Sequence, residues 1–222
     1  MGQQLPTLLE KAINELQIEL NEEQIAQLLK YLQQLERWNK TYNLTAIESS
    51  EEMLIKHIVD SLSILPLLEK LSAQIDKKEL NILDVGSGGG LPGVVIGIYR
   101  PDWQVTCVDA VQKKVAFIQQ MRAVLNCPNI EAQHHRIERA KNIDCDVLVT
   151  RAFSSLKNTI EWAGKHITAG GYLFAMKGKE PKAEIAELQL GSEWQLLPIV
   201  PVSVPFLDAE RCVVMIKKQG KQ

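Results

Sequence analysis

Asn81-Ile82-Leu83-Asp84-Val85-Gly86-Ser87-Gly88-Gly89-Gly90-Leu91-Pro92-Gly93 decides how the rest of the chain is read. Ile82, Leu83 and Val85 form an apolar run of strand length, five glycines follow within positions 86–93, and a second apolar run begins after Pro92. That order predicts a strand, a tight turn and a helix. Glycines without Cβ atoms let the backbone take φ > 0 and let a ligand approach the main chain. N–H groups at the start of the next helix favour a polar or anionic group. A plain βα connection needs one or two glycines, so this turn reads as one built to touch a ligand.

Two cofactor classes fit the same glycines in different registers. Gly88-x-Gly90-x-x-Gly93 matches the dinucleotide fingerprint, with Asp109 at the expected spacing of about 20 residues. Asp84-x-Gly86-x-Gly88-x-Gly90 matches the first motif of S-adenosylmethionine-dependent methyltransferases. A carboxylate at Asp84 would repel a pyrophosphate and suits a cationic amino-acid ligand. The chain is also short for a dehydrogenase, whose nucleotide-binding half is usually followed by a substrate domain. The methyl donor is therefore favoured, and an NAD-dependent Rossmann enzyme is the alternative.

With 222 residues the chain has room for a sizeable core in one or two domains. A formal charge of −2 argues against a general nucleic-acid glue, but the charge is uneven. Residues 1–60 hold 5 Lys/Arg against 10 Asp/Glu, and residues 61–222 hold 20 against 17. A nucleic-acid surface would have to be a local patch. Cys107, Cys127, Cys145 and Cys212 show no CxxC and no histidine at ligand spacing, which implies a reducing compartment and no metal; Cys107, Cys145 and Cys212, in or beside expected strands, read as small buried hydrophobes. No run approaches the ~20 apolar residues of a membrane span, and Met1-Gly2 has Pro6 where myristoylation wants Ser or Thr. A cytoplasmic monomer without a membrane partner is expected.

Residues 5–70 read as helices. Asn21 with Gln24 forms a capping box, followed by Ile25, Leu28, Leu29, Leu32 and Leu35 at helical spacing. A further helix is expected from Ser49 or Ser50, with Glu52 closing a box on Ser49 and Met53, Leu54, Ile58, Leu62 and Leu65 along its face. Between them Trp38-Asn39-Lys40-Thr41-Tyr42-Asn43-Leu44-Thr45 reads as a loop, either satisfying backbone groups or stacking on a nucleotide. His57 and Asp60 share a helix face, which suggests a structural His–Asp hydrogen bond.

From Leu80 onward strands are expected at 81–85, 104–109, 130–134, 145–150, 171–176, 194–200 and 211–217, with helices at 92–99, 111–125, 156–166 and 180–189. This alternation means a mostly parallel sheet with helices on both faces. The last two strands lack a crossover helix and should be antiparallel neighbours. Ligands in such sheets lie outside the carboxyl ends of the strands. Candidate contacts are therefore Gly86, Gly88, Gly90, Asp109 for the ribose hydroxyls, Ile137 and Glu138 flanking an adenine, Arg151 with Ala152-Phe153, and Lys177-Gly178.

Taken together, Trp38-Asn39-Lys40, Asn43-Leu44-Thr45, His57-x-x-Asp60-Ser61, the Asp84–Gly93 segment, Arg100-Pro101, Arg136-Ile137-Glu138, Arg151-Ala152-Phe153, Lys177-Gly178 and Glu210-Arg211 resemble the RsmG (GidB) family. The likeness runs from about residue 20 to residue 217. It implies a class I S-adenosylmethionine-dependent methyltransferase fold: α/β, Rossmann-like, with a seven-stranded sheet whose last strand is antiparallel. Residues 1–75 would be a helical extension packed on a methyltransferase domain of residues 76–222. The implied reaction is methylation of N7 of a guanine in 16S rRNA, in the decoding-region loop, with donor contacts at Gly86, Leu91, Ile137, Glu138 and Arg151. Ala110, Lys114 and Gly89 depart from the serine, arginine and alanine or proline that many members carry there.

Guanine N7 carries a free lone pair, so the reaction needs no general base and no catalytic acid–base residue is expected. RNA contacts are expected from Lys40, Tyr42, Arg136, Arg139, Arg151, Lys177, Lys179 and Arg211, with naked 16S rRNA, an assembly intermediate or the small ribosomal subunit as partner. A non-catalytic ribosome-assembly factor with a relict donor pocket is a third class.

Overall fold

A computed structural model describes residues 4–75 and 77–220. Met1-Gly2, on which the myristoylation reading rests, and Asp76, at the expected domain boundary, lie outside the described residues. Helices come first: α1 (Gln4–Leu16), α2 (Glu22–Tyr42), α3 (Ser50–Met53), a π-helical turn (Leu54–Val59), α4 (Asp60–Leu62) and α5 (Leu65–Ile75). Alternation then begins with β1 (Asn81–Val85), α6 (Gly93–Tyr99), β2 (Gln104–Asp109), α7 (Gln112–Val124) and β3 (Ile130–His134). It continues through β4 (Cys145–Arg151), α8 (Leu156–Ala163), β5 (Ile167–Lys177) and α9 (Lys182–Ala186), and ends with β6 (Trp194–Leu196), β7 (Val200–Pro201) and β8 (Cys212–Lys218).

The sheet runs β3-β2-β1-β4-β5-β8-β6, with β7 also on β8. Strands β1 to β5 pair in parallel and β8 is antiparallel to β5, β6 and β7. The expected antiparallel last pair is present as β6 and β8. The single strand expected at 194–200 is instead two short ones, both paired to β8, so the sheet has eight strands. Side chains alternate between faces along a strand. Ile82, Val105 and Val149 accordingly join the cluster under α2 and α7, while Leu83, Val108 and Leu148 join the cluster under α8.

The N-terminal helices share the first of these clusters with the sheet. Asn21 Oδ1 accepts from the Gln24 amide at 2.9 Å and Gln24 Oε1 accepts from the Asn21 amide at 3.0 Å, the expected box. Gln24 Nε2 also donates to Ile98 O and Tyr99 O, tying the start of α2 to the end of α6. At Ser49 only half of a box forms: Ser49 Oγ accepts from the Glu52 amide, and the Glu52 carboxylate takes Lys56 at 2.6 Å.

Several boundaries differ from those read in the sequence. Trp38 to Tyr42 is the last turn of α2 and not a loop, because the buried face through Tyr31, Leu35 and Asn39 continues until Asn43 ends the helix at φ 49. The helix expected at 180–189 is only Lys182–Ala186, with no buried residue to anchor a longer one. The helix expected through Leu65 passes through a π turn before α4 and stops short of α5. Cys107, Cys145 and Cys212 are free and buried, as expected, and so is Cys127. Among the described residues no helix is long and apolar enough to cross a membrane.

Candidate functional site

The glycine turn closes β1 at the point where strand order reverses, between the β1-β2-β3 half and the β4-β5 half of the sheet. Gly86 at φ 70 and Gly90 at φ 90 occupy the left-handed region that side chains disfavour. A Cβ at Gly86 would lie 2.4 Å from the Phe153 ring. The turn is fastened from outside as well, since the buried Tyr31 hydroxyl of α2 donates to Gly89 O at 2.5 Å.

Asp84 does not face a ligand, which corrects the argument that its carboxylate would meet a cationic one. It is fully buried and its Oδ2 accepts the Gly93 amide at 2.8 Å, while Val94 N donates to Gly90 O. Two of the helix-start donors expected to stand free, those of Gly93 and Val94, are therefore used inside the fold. Asp84 Oδ1 has no partner. Burial pushes this carboxyl up to about 7.

Beside the turn lies a cavity of about 480 Å³ lined by Val85, Gly86, Asp109, Ile137, Glu138 and Phe153, among others. Asp109 is only 7% exposed. Its Oδ2 accepts Gly88 N at 2.9 Å and its Oδ1 accepts Val111 N at 2.8 Å. Each carboxylate oxygen retains acceptor capacity, so this one is both fixed in place and still able to take a hydroxyl. Ile137 is buried in a 3-10 turn, Ile137–Arg139, that presents Glu138 to the same space, with the exposed Arg136 just before it. Of the sequence candidates, Gly86, Asp109, Arg136, Ile137, Glu138, Ala152 and Phe153 line this cavity, whereas Gly88, Gly90, Leu91, Arg151, Lys177 and Gly178 do not.

The cavity also has walls that sequence reading missed. His135 follows β3 directly, and Trp162 of α8 meets Phe153 edge-on with centroids 6.2 Å apart. An exposed tryptophan on an otherwise amphipathic helix was the available signal for Trp162. Ala152, at φ 52, is a non-glycine residue in the left-handed region at the end of β4, a conformation that costs roughly 1–2 kcal/mol. It turns the chain out of β4 just before Phe153 reaches Gly86.

Arg151, at the end of β4, points toward the N-terminal helices. Its Nη1 donates to Asp60 Oδ2 at 3.0 Å and to Lys56 O at 3.1 Å. His57 does not bond Asp60 as expected: its Nε2 pairs with Thr45 Oγ1 at 2.8 Å and its Nδ1 faces Lys56 O and Arg151 Nη2. Burial and then the Arg151 charge bring His57 down to about 4. Asn39, at the end of α2, holds Thr45 N and Ile47 O, so this aromatic-polar stretch supports His57 from behind.

The remaining basic candidates divide into two groups. Lys177 is bound to Glu184 and Ser154 O, and Arg211 to Asp60. Arg136, Arg139, Lys179, Lys40 and Tyr42 are exposed. Arg100, from the Arg-Pro pair, serves the fold, bridging Glu69 and Asp102 and lying 4.4 Å from the Trp103 ring.

A family model described as GidB, rRNA small subunit methyltransferase G, matches residues 24–214. The chain belongs to this family. Among GidB relatives, the ribosomal RNA small subunit methyltransferase G of Bordetella avium is 51% identical over 211 residues, covering 95% of this chain and 92% of that one. The fold is similar to that of a SAM-dependent methyltransferase from Aquifex aeolicus, at TM-score 0.53 and 16% identity over 75% of this chain and 93% of that one. It is also similar to ribosomal protein L11 methylase from Lactobacillus delbrueckii, at TM-score 0.54 and 14% identity over 73% and 77%. Membership in GidB makes the chain a methyltransferase and removes the dehydrogenase reading of the glycines.

Proposed function

We propose that the chain transfers a methyl group from S-adenosylmethionine to N7 of a guanine in 16S ribosomal RNA. The observation that carries this is the buried, pre-fixed Asp109 carboxylate in a cavity at the sheet's reversal point, in a chain of the GidB family. The fit to an adenosine is good in kind: Asp109 would take ribose hydroxyls, Ile137 gives an apolar wall, and Glu138 offers an acceptor at its rim. The donor supplies an electrophilic methyl on a sulfonium.

What the chain itself must supply is then alignment. Guanine N7 attacks with a lone pair and loses no proton, so no base is required. Orientation of reacting groups contributes on the order of 7–11 kcal/mol in well-aligned intramolecular systems. His135→Ala should accordingly keep kcat within about threefold, since general bases contribute roughly 10²–10⁴ where they act. A loss of turnover with donor and RNA binding intact would overturn the base-free reading.

For the RNA, Arg136, Arg139 and Lys179 would pair phosphates, with Lys40 and Tyr42 at the far end of α2. Replacing Arg136 and Arg139 together by Ala should flatten the slope of log K against log salt by about 1.4, at about 0.7 per lost contact on single strands. An unchanged slope removes them from the interface. The decisive assay offers labelled S-adenosylmethionine to naked 16S rRNA, an assembling particle and the small subunit in parallel and maps the modified atom. Label at guanine N7 is expected. No transfer to any of the three, with the donor bound, would favour the assembly-factor alternative.

A further inference from the structure

Asp60 is 2% exposed, and its two oxygens are given to two different guanidiniums. Oδ2 accepts from Arg151 Nη1 at 3.0 Å and Oδ1 accepts from Arg211 Nε at 2.8 Å. The three residues arrive from separate parts of the fold: Asp60 from the first residue of α4, Arg151 from the end of β4, and Arg211 from the residue before β8. Arg211 is held a second time by Nη1 on Glu210 O at 2.9 Å.

A guanidinium is a planar fork whose donors have fixed directions. With Nη1 on both Asp60 Oδ2 and Lys56 O, and Nη2 3.4 Å from His57 Nδ1, the plane of Arg151 is set by groups that all belong to the N-terminal helices. Lys56 and His57 lie in the π-helical turn and Asp60 follows it directly. Single π turns inside helices recur at functional sites. Here the turn brings a carbonyl, an imidazole and a carboxylate to one guanidinium.

The charges in this group do not cancel, since two arginines share one carboxylate. One positive charge is left over where the carboxyl end of β4 and the amino end of the antiparallel β8 come together. If the nucleoside lies between Asp109 and Ile137, the donor's amino-acid end extends toward β4, where an extra positive charge suits its carboxylate. We infer that Asp60 is a positioning residue, holding Arg151 in the plane from which it meets the donor, with Arg211 as the opposing arm of the clamp. This rests on the donor reading above.

The test uses the full-length chain, with S-adenosylmethionine as the calorimetric probe and the Arg151 Nε–H resonance as a direct view of the guanidinium. Asp60→Asn should weaken donor binding about tenfold, the scale of one lost charge-assisted hydrogen bond, and should broaden the Arg151 signal. Asp60→Glu keeps the charge and moves the carboxylate by one methylene. Measured below the onset of unfolding, it should still weaken the donor several-fold, which a merely structural charge would not do. In the background of Arg151→Ala, adding Asp60→Asn should cost less than a further twofold, because contacting residues are non-additive.

Full additivity in that cycle, or donor affinity in both Asp60 variants within twofold of the parent, overturns the inference. If Asp60→Asn does not fold, Asp60→Glu and its own cycle with Arg151→Ala decide by the same criteria. A parent chain that takes up no S-adenosylmethionine overturns the donor reading and this role with it. Sharp Arg151 signals in that case would leave the clamp as a structural device only.

Discussion

Gly93→Ala should lower stability by about 3 kcal/mol, from three terms that can be separated. A Cβ at Gly93 would stand 2.6 Å from Cys107 Sγ and 2.7 Å from Asp84 Oδ2, both on side chains of central strands. Overpacking of this kind costs typically 1–3 kcal/mol. Pushing α6 away also removes the Gly93 N–H from Asp84, whose other oxygen already has no partner. Leaving a buried acceptor unpaired costs about 1–3 kcal/mol and more when it is charged. Against these, alanine gains roughly 0.5–1 kcal/mol over glycine within a helix.

The net loss should appear as a fall in melting temperature of roughly 10 °C, at about 2–4 °C per kcal/mol for a chain of this size. Donor binding should fall with it, because the start of α6 sets the glycine turn. Gly88→Ala is the control. Its Cβ would meet nothing within 4 Å, so only its φ of 58 counts against it, at roughly 1–2 kcal/mol. Equal losses at 88 and 93 would refute the steric argument.

Between pH 4 and pH 7 two buried groups should pull stability in opposite directions. His57 titrates at about 4 when folded against 6.5 for a free histidine. The unfolded chain therefore binds this proton first, and stability is lost as pH falls through that window, by on the order of 3 kcal/mol. Asp84 titrates at about 7 when folded against 3.8 when free. Here the folded chain holds a proton that the unfolded one has released. Its contribution is full below pH 3.8 and disappears as pH rises through 7, on the order of 4 kcal/mol.

In the parent protein the two slopes oppose each other over their common range. His57→Gln should leave a stability that falls with rising pH more steeply than the parent's, and Asp84→Asn one that rises more steeply. Denaturant unfolding from pH 4 to pH 8 reads both, and the difference from the parent at each pH cancels every other titrating group. Two variant curves running parallel to the parent's would remove both assignments.

Local signals carried well from sequence to structure, and long-range ones less so. The Asn21–Gln24 box and the strands at 81–85, 104–109 and 130–134 were legible because each is set within a few residues. The strand expected at 171–176 is longer at its start: β5 begins at Ile167 and runs through Gly170 and Gly171 with a shift of register against β4. Trp38 to Tyr42 has the composition of a loop, and only the burial of Asn39 against Thr45 and Ile47 shows why it stays helical.

In the site, Asp109, Ile137 and Glu138 could be named from strand ends alone. Asp84 could be named too, but the direction of its side chain could not, since that depends on a glycine nine residues later. The pairing of Asp60 with Arg151 and Arg211 spans 91 and 151 residues. No window of sequence contains it.

Strand β8 lies between β5 and β6, and β6 and β7 find ladder partners nowhere else among the described residues. The outer rim of the sheet is therefore a single cooperative block: β6 and β7 cannot stay zipped if β8 peels away. Arg211 sits at the root of β8, so peeling β8 away from β5 withdraws one of the two cations from Asp60. Breathing of β8 is thereby wired to the charge balance around Asp60.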